Sequence, residues 1–321
     1  PDTFGPNAAY SAAAAASMVF QDQLDVTCNP GYALDKDQHD QTKYSLKCKA
    51  DGTLKLSTDK QCTPIDGGSY GTIEHSTVTG STLFGGRLTA VADTGYSGDG
   101  FYSEIMRSFE FYVQADGTYS KIYSFQLIQC GVSPVVQYTT SSKGDATVYA
   151  FQVIKYTLAE GFSLDGTANG TKEFDVTCQP KGTFTATESP LRVSCGGPPA
   201  ETLAVTMWEG GPADVLVFEG EVQYMCQTGH TLDGTATGKK YFSETCLASG
   251  QFSDGGYTCK PVSCGSVTTP VHASQVADTS GAQKTSLVFG EKAHYQCNPG
   301  YSGDRLLSSE LLSVVVSCTH T

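Results

Sequence analysis

Apolar and polar residues alternate one by one along short stretches of this chain, and each stretch is broken by Gly, Asp, Asn or Pro at turn spacing. The clearest are "EVQYMC" from Glu221, "KEFDVTC" from Lys172 and "LLSVVVSC" from Leu311. A period of two puts successive side chains on opposite faces, so each stretch predicts a strand with one face on a core. Nothing holds a 3.6-residue period over ten or more residues. The pattern predicts an all-β chain.

The same pattern recurs. Phe20, Phe84, Phe151, Phe218 and Phe289 are each followed, seven or eight residues later, by a cysteine position (Cys28, Ala92, Leu158, Cys226, Cys297). Glycine and then Tyr, Phe or His follow, as in Gly31-Tyr32 and Gly161-Phe162. A second cysteine position lies at Cys48, Val113, Cys178, Cys246 and Cys318, and a glycine turn such as "ADGTL" or "PKGTF" follows the first four. Self-similarity at this period is the mark of a tandem array. The predicted repeats are 1–62, 63–129, 130–194, 195–263 and 264–321.

Composition sets the surroundings. Twelve cysteines against four methionines and one tryptophan are the balance of an extracellular chain, secreted or at the cell surface, in an oxidising compartment. A net charge of −13, spread over all the repeats, leaves no basic patch for nucleic acid. No apolar run approaches the ~20 residues of a membrane span. The Ala-rich "AAYSAAAAASMVF" at 8–20 lacks a basic flank, and its end falls on the repeat, so it is read as part of the first repeat rather than as a signal peptide.

The fourth repeat is complete, with Cys195, Cys226, Cys246 and Cys259, "CGGPP" at its start, "VQYMC" and "GHTLDG" in its middle and "GQF…YTC" at its end. It resembles the sushi, or complement control protein, module. The resemblance covers essentially the whole chain and implies small disulfide-stapled β-sandwiches strung end to end as a rod. Bridges run from first to third and from second to fourth cysteine in that family, which implies Cys195–Cys246 and Cys226–Cys259. Applied to the other repeats, the scheme implies Cys28–Cys62, Cys130–Cys178 and Cys264–Cys318. The chain departs from the family where a tryptophan is expected, with Leu54, Tyr119, Phe184 and Phe252 in its place.

On this template cysteines are lost in bonding pairs. Repeat three has Leu158 and Pro190 at one pair, and repeat two has Gly67, Ala92, Val113 and Phe125 at all four positions. Paired loss is what disulfide chemistry demands, since a stranded thiol mispairs. Residues 63–129 hold a third of the aromatic residues, among them Tyr70, Phe84, Phe109, Phe111, Tyr119 and Phe125. Two missing bridges of about 2–4 kcal/mol each must be offset, either by these rings in an internal core or by their packing on a neighbour. The scheme gives Cys48 and Cys297 no bridge mate within this chain. It is expected that they bond within a longer array, bond between copies, or remain thiols.

Candidate chemistry is sparse. His39, His75, His230, His272, His294 and His320 are scattered without metal-ligand spacing and read as ordinary surface or half-buried residues. "DKDQHD" at 35–40 puts His39 where a calcium loop needs oxygen, so it reads as a solvated loop. No catalytic residue, metal or cofactor is expected. Asn169, in "NGT", is a glycosylation candidate. Two functions fit: a non-enzymatic structural segment of a surface fibre or filament, whose partners are further copies or the continuation of the chain, or an adhesion or complement-regulator-like ectodomain that binds a protein ligand.

Overall fold

A computed structural model describes residues 5–211, 214–277, 283–305 and 312–319; His320 lies outside them. The described residues form two compact bodies. One takes the chain to Val135 with Ser141–Tyr156 and Asp175–Thr187; the other takes Val136–Thr140, Thr157–Phe174 and the chain from Glu188 on.

In the first body the strand Gln23–Cys28 alternates exposed and buried residues without a break. It lies between Ala8–Ala9 and Lys43–Cys48 in an antiparallel sheet that Leu54–Leu56 completes. Leu24, Val26, Cys28, Tyr44 and Leu46 point to one side and form the core of repeat one. The Ala-rich segment belongs to this core: Ala8 pairs with Cys28, and Ala15 and Met18 pack on the cluster. Sequence period gave no helix here, yet Ala12–Ala16 is a short one, capped by the Ser11 hydroxyl, which accepts from the Ala14 N–H. Five alanines are too few to show a period, and alanine has the highest helix propensity.

Repeat two has a three-stranded sheet, Ser108–Phe111, Leu88–Ala92 and Ser76–Gly80, and a pair, Tyr96–Ser97 with Gln126–Leu127. Its four cysteine-less positions sit as two facing pairs in which one member is small and the other large. Ala92 and Phe125 share a buried cluster with Leu88, Ala90 and Phe111, and the Phe125 ring lies 5.4 Å from Phe109. A Cβ on Gly67 would stand 2.7 Å from Val113 Cγ2 and 2.9 Å from the Tyr119 ring. The Tyr119 hydroxyl donates to the Gly68 carbonyl at 2.7 Å. Side-chain volume thus fills the place of each sulfur bridge, as close packing requires. The rings of this repeat divide between two tasks: Phe111, Phe125, Tyr70 and Phe109 build its core, while Phe84 and Tyr102 meet neighbouring repeats.

In the second body, Ala204–Thr206, Glu221–Cys226 and Tyr241–Thr245 form one sheet and Ala273–Gln275, Lys292–Cys297 and Ser313–Ser317 another. Tyr224, Phe242, Val222 and Cys226 are buried together, with the sole tryptophan, Trp208, packed against them. Disulfides join Cys28 to Cys62, Cys130 to Cys178, Cys195 to Cys246, Cys226 to Cys259 and Cys264 to Cys318, with Cα–Cα distances of 5.5–5.9 Å. Cys48, which is buried, and Cys297 stand outside these five. Leu158 is buried and Pro190 half-buried.

Repeat four carries a buried carboxylate beside its core tyrosine. Burial, then Glu244 and Glu201, pushes the Tyr224 hydroxyl up to about 12, and it donates to the Pro199 carbonyl at 2.9 Å. Burial first, then Glu201 and Asp254, raises the Glu244 carboxyl above its ordinary value. The folded state therefore holds that proton more tightly than the unfolded chain does. Its contribution to stability is complete below the unfolded value and is lost as pH rises through the folded one. Glu244→Gln is expected to raise the denaturation midpoint of repeat four near pH 7 and to leave it unchanged near pH 4, read by Trp208 fluorescence. An equal effect at both pH values would contradict this.

Candidate functional site

The repeated phenylalanine and the repeated glycine, some fifty to sixty residues apart, meet across the boundary between consecutive repeats. A Cβ on Gly31 would lie 2.3 Å from the Phe84 ring, on Gly95 2.4 Å from Phe151, on Gly161 2.1 Å from Phe218 and on Gly229 2.2 Å from Phe289. In each contact the ring of one repeat rests on the bare α-carbon of the repeat before it. All four glycines have positive φ, between 79° and 85°, so two independent constraints exclude a side chain there.

Backbone bonds lock the same boundary. The Ile65 N–H donates to the Gly31 carbonyl, and the Ile65 carbonyl accepts from the Phe84 N–H at 2.8 Å. The same relay runs through Ile128 from Gly95 to Ala150, through Val193 from Gly161 to Phe218, and through Val262 from Gly229 to Phe289. A connecting residue bonded on both sides has no backbone group left for water, and Ile65, Ile128 and Val193 are buried as well. These linkers are therefore ordered, unlike typical connecting loops.

Repeat three corrects the alignment by one residue. Ala150, not Phe151, makes the relay bond there, and Phe151 occupies the left-handed position held elsewhere by Gly85, Glu219 and Gly290. Its ring still reaches Gly95. The signal was present in the sequence: in this repeat the cysteine position falls seven residues after the phenylalanine, not eight.

Two further elements recur at these contacts. The aromatic after the glycine takes the ring edge-on: Tyr32 with Phe84 at 5.5 Å, Phe162 with Phe218 at 6.2 Å and His230 with Phe289 at 5.7 Å. A residue in the left-handed region backs that aromatic by stacking flat on it, as His75 does on Tyr96 at 4.0 Å, Tyr138 on Phe162 at 4.1 Å and His272 on Tyr301 at 3.9 Å. At the third boundary Arg192 Nη1 also donates to the Phe218 carbonyl at 3.2 Å. The glycine turns of repeats two, three and four each touch a loop of the repeat before. Gly117 meets the His39 ring, Gly182 meets Tyr102 and Gly250 meets Ala168. His39 Nε2 lies 2.8 Å from the Asp66 carbonyl oxygen, so the acidic loop at 35–40 serves the boundary. The Asp66 carboxyl is held below the usual carboxylate range by the Thr82 hydroxyl and the Gly68 N–H.

Sequence reading missed His39, His75, Tyr138 and His272 as members of this site. Histidine and tyrosine at positive φ carry no local signature, and the partners come from distant segments. Asn169 stands apart from the ring contact, exposed in the turn after Phe162–Ser163.

No family model matches the chain. It is 27% identical over 293 residues to the Sushi, von Willebrand factor type A, EGF and pentraxin domain-containing protein 1 of Rattus norvegicus, covering 89% of this chain and 7% of that protein. The Mus musculus protein of that name is 26% identical over 298 residues. The complement C1s-1 subcomponent of Mus musculus is 33% identical over 110 residues, 34% of this chain and 14% of that protein. The chain thus spans about 7% of the length of the relatives it matches along most of its own. Small antiparallel sheets, disulfides within repeats and similarity to a sushi-domain protein along nearly nine-tenths of the chain agree: the chain is a tandem array of small disulfide-stapled β modules that are sushi-like, or complement control protein-like.

Proposed function

We propose that the chain is a non-enzymatic, extracellular structural protein whose modules continue head to tail into a surface fibre or filament. The disulfides and the similarity to sushi-module proteins support the extracellular setting. One observation supports the assembly: the same ring-on-glycine contact recurs at all four boundaries between repeats, and Phe20 and Gly300 carry its two halves. Phe20 is 57% exposed and is followed by the left-handed Gln21, as Phe84, Phe218 and Phe289 are followed by the left-handed Gly85, Glu219 and Gly290. Gly300 has φ +90° and open space where a Cβ would be, beside Tyr301 stacked on His272. Phe20 of one copy fits the Gly300–Tyr301 face of the next. A head-to-tail contact that does not close on itself generates an open filament.

Electron microscopy and sedimentation of native, unreduced material test this reading. Regular fibres that shorten or vanish with Phe20→Ala are expected. Isolated particles at every concentration, indifferent to Phe20→Ala, would overturn it. A second reading, an adhesion ectodomain, is favoured by the exposed apolar side chains of repeat two, with Phe101 at 56%, Ile105 at 83% and Met106 at 46%. It expects saturable binding of a protein ligand by a fragment that forms no fibres.

A further inference from the structure

Repeats three and four share one loop geometry beside the boundary that follows each of them. In repeat three Asp165 Oδ1 accepts from the Thr167 N–H and hydroxyl at 2.9 Å and from the Ser163 hydroxyl at 3.2 Å. In repeat four Asp233 Oδ1 accepts from Thr235 at 2.9 and 2.8 Å and from Thr231 at 3.3 Å. The glycine that closes each turn, Gly170 or Gly238, lies so near that carboxylate that a Cβ would fall 1.8 or 2.0 Å from Oδ1. Residue 169 and residue 237 therefore hold the same exposed place on the same rigid turn, Asn169 in one and Thr237 in the other.

The residue before each of them lines a cleft. Ala168 lines one of about 410 Å³ with Leu158, Glu160, Lys172, Ala248 and Ser249, and Ala236 lines one of about 330 Å³ with His230, Lys240 and Phe289. Ala168 is also the residue that Gly250 approaches, with 3.1 Å from a Cβ there to the Ala168 Cβ. Asn169 is thus at the rim of the contact between repeats three and four, inside the second body.

We propose that Asn169 carries an N-linked glycan whose first sugar covers the rim of this cleft. The acceptor triplet is Asn169-Gly170-Thr171, and the turn presents Asn169 to solvent. The Asn169 amide Nδ2 loses a proton and bonds to C1 of an N-acetylglucosamine. The C1–O bond to the pyrophosphate of a lipid-linked oligosaccharide breaks, and lipid pyrophosphate leaves with the electron pair. Nothing is oxidised or reduced. The sugar shields the Leu247–Gln251 turn of repeat four, which the matching but unmodified Thr237 turn cannot do for repeat five.

The test is the intact mass of the full chain secreted by a eukaryotic host, before and after peptide-N-glycosidase F. Thr171→Ala is the loss variant, since Thr171 is exposed and only its carbonyl is used, by the Leu164 N–H. Thr237→Asn with Lys239→Thr builds the same triplet on the equivalent turn and serves as the positive control. A glycan-sized mass removed by the enzyme from the parent chain and absent from Thr171→Ala is expected, with faster amide exchange at 247–251 after removal. Glycan on the control but none at Asn169, or none on either, overturns the proposal. Glycan at Asn169 with exchange at 247–251 unchanged by its removal overturns the placement over the cleft.

Discussion

Replacing Phe125 by alanine in the full chain is expected to destabilise repeat two by about 3–5 kcal/mol, the cost of removing a buried phenylalanine from a packed site. Repeat two lacks a cysteine, so nothing covalent limits the loss. Phe125 is 7% exposed and shares its cluster with Ala92, the small partner at the same lost bridge. Alanine at both positions leaves the volume of a ring unfilled. Amide exchange in Leu88–Ala92 and Ser108–Phe111 is expected to rise to the level of local unfolding, while Gln23–Cys28 and Glu221–Cys226 stay protected. Restoring the bridge by Ala92→Cys with Phe125→Cys is expected to recover much of the loss, because a native-like disulfide contributes about 2–4 kcal/mol. Unchanged exchange in Phe125→Ala would show that the ring does not stand in for the sulfur.

Gly161→Ala is expected to open the contact between repeats three and four while leaving the core of each intact. The new Cβ meets the Phe218 ring at 2.1 Å, and φ is +79°. The backbone conformation alone costs an alanine about 1–2 kcal/mol. The overlap with a ring fixed by its own backbone bond to Val193 adds to it. Exchange at the Val193 and Phe218 amides is expected to accelerate, with Val222 and Tyr224 unaffected. Gly300→Ala separates the two costs, since φ there is +90° and nothing lies within 4 Å of the added carbon. In chains kept apart by Phe20→Ala it is expected to show the backbone cost alone. Equal effects of Gly161→Ala and Gly300→Ala would mean that the ring contact contributes nothing. Combining Gly161→Ala with Phe218→Ala gives the coupling directly, as residues in contact depart from additivity.

The all-β class was legible in the period-two stretches, and the modular organisation in the recurrence of cysteine, glycine and aromatic positions. The strand Glu221–Cys226 alternates in the structure as its letters alternate. The contact between repeats was half legible. Phe218 and Gly161 each stood out as repeated letters, but nothing in one sequence says that a repeated ring rests on the repeated glycine of the module before it. Steric relations between distant segments leave no period. Neither does a left-handed backbone at His75, Tyr138, Leu203 or His272, because these residues adopt it only where a neighbouring aromatic or strand holds them. The substitutes for the family tryptophan are explained by position. Tyr119, Phe184 and Phe252 bridge back to Val113, Cys178 and Cys246, and Leu54 pairs with Cys48, so each stands opposite the third cysteine position in the backbone pairing.

The central claim is that a ring of each following repeat rests on a bare glycine of the preceding one. Ring-current shifts of glycine α-protons measure that contact directly. The proton that replaces Cβ at Gly31, Gly95, Gly161 and Gly229 points into a phenyl ring, whereas at Gly300 it points into open space. In the Phe20→Ala chain, where no ring of another copy can cover Gly300, the account predicts one α-proton of each of the four glycines far upfield of the ordinary range and both of Gly300 within it. It also predicts that Phe218→Ala returns the Gly161 proton alone to the ordinary range. Four unshifted glycines, or a Gly161 shift that survives Phe218→Ala, would contradict it.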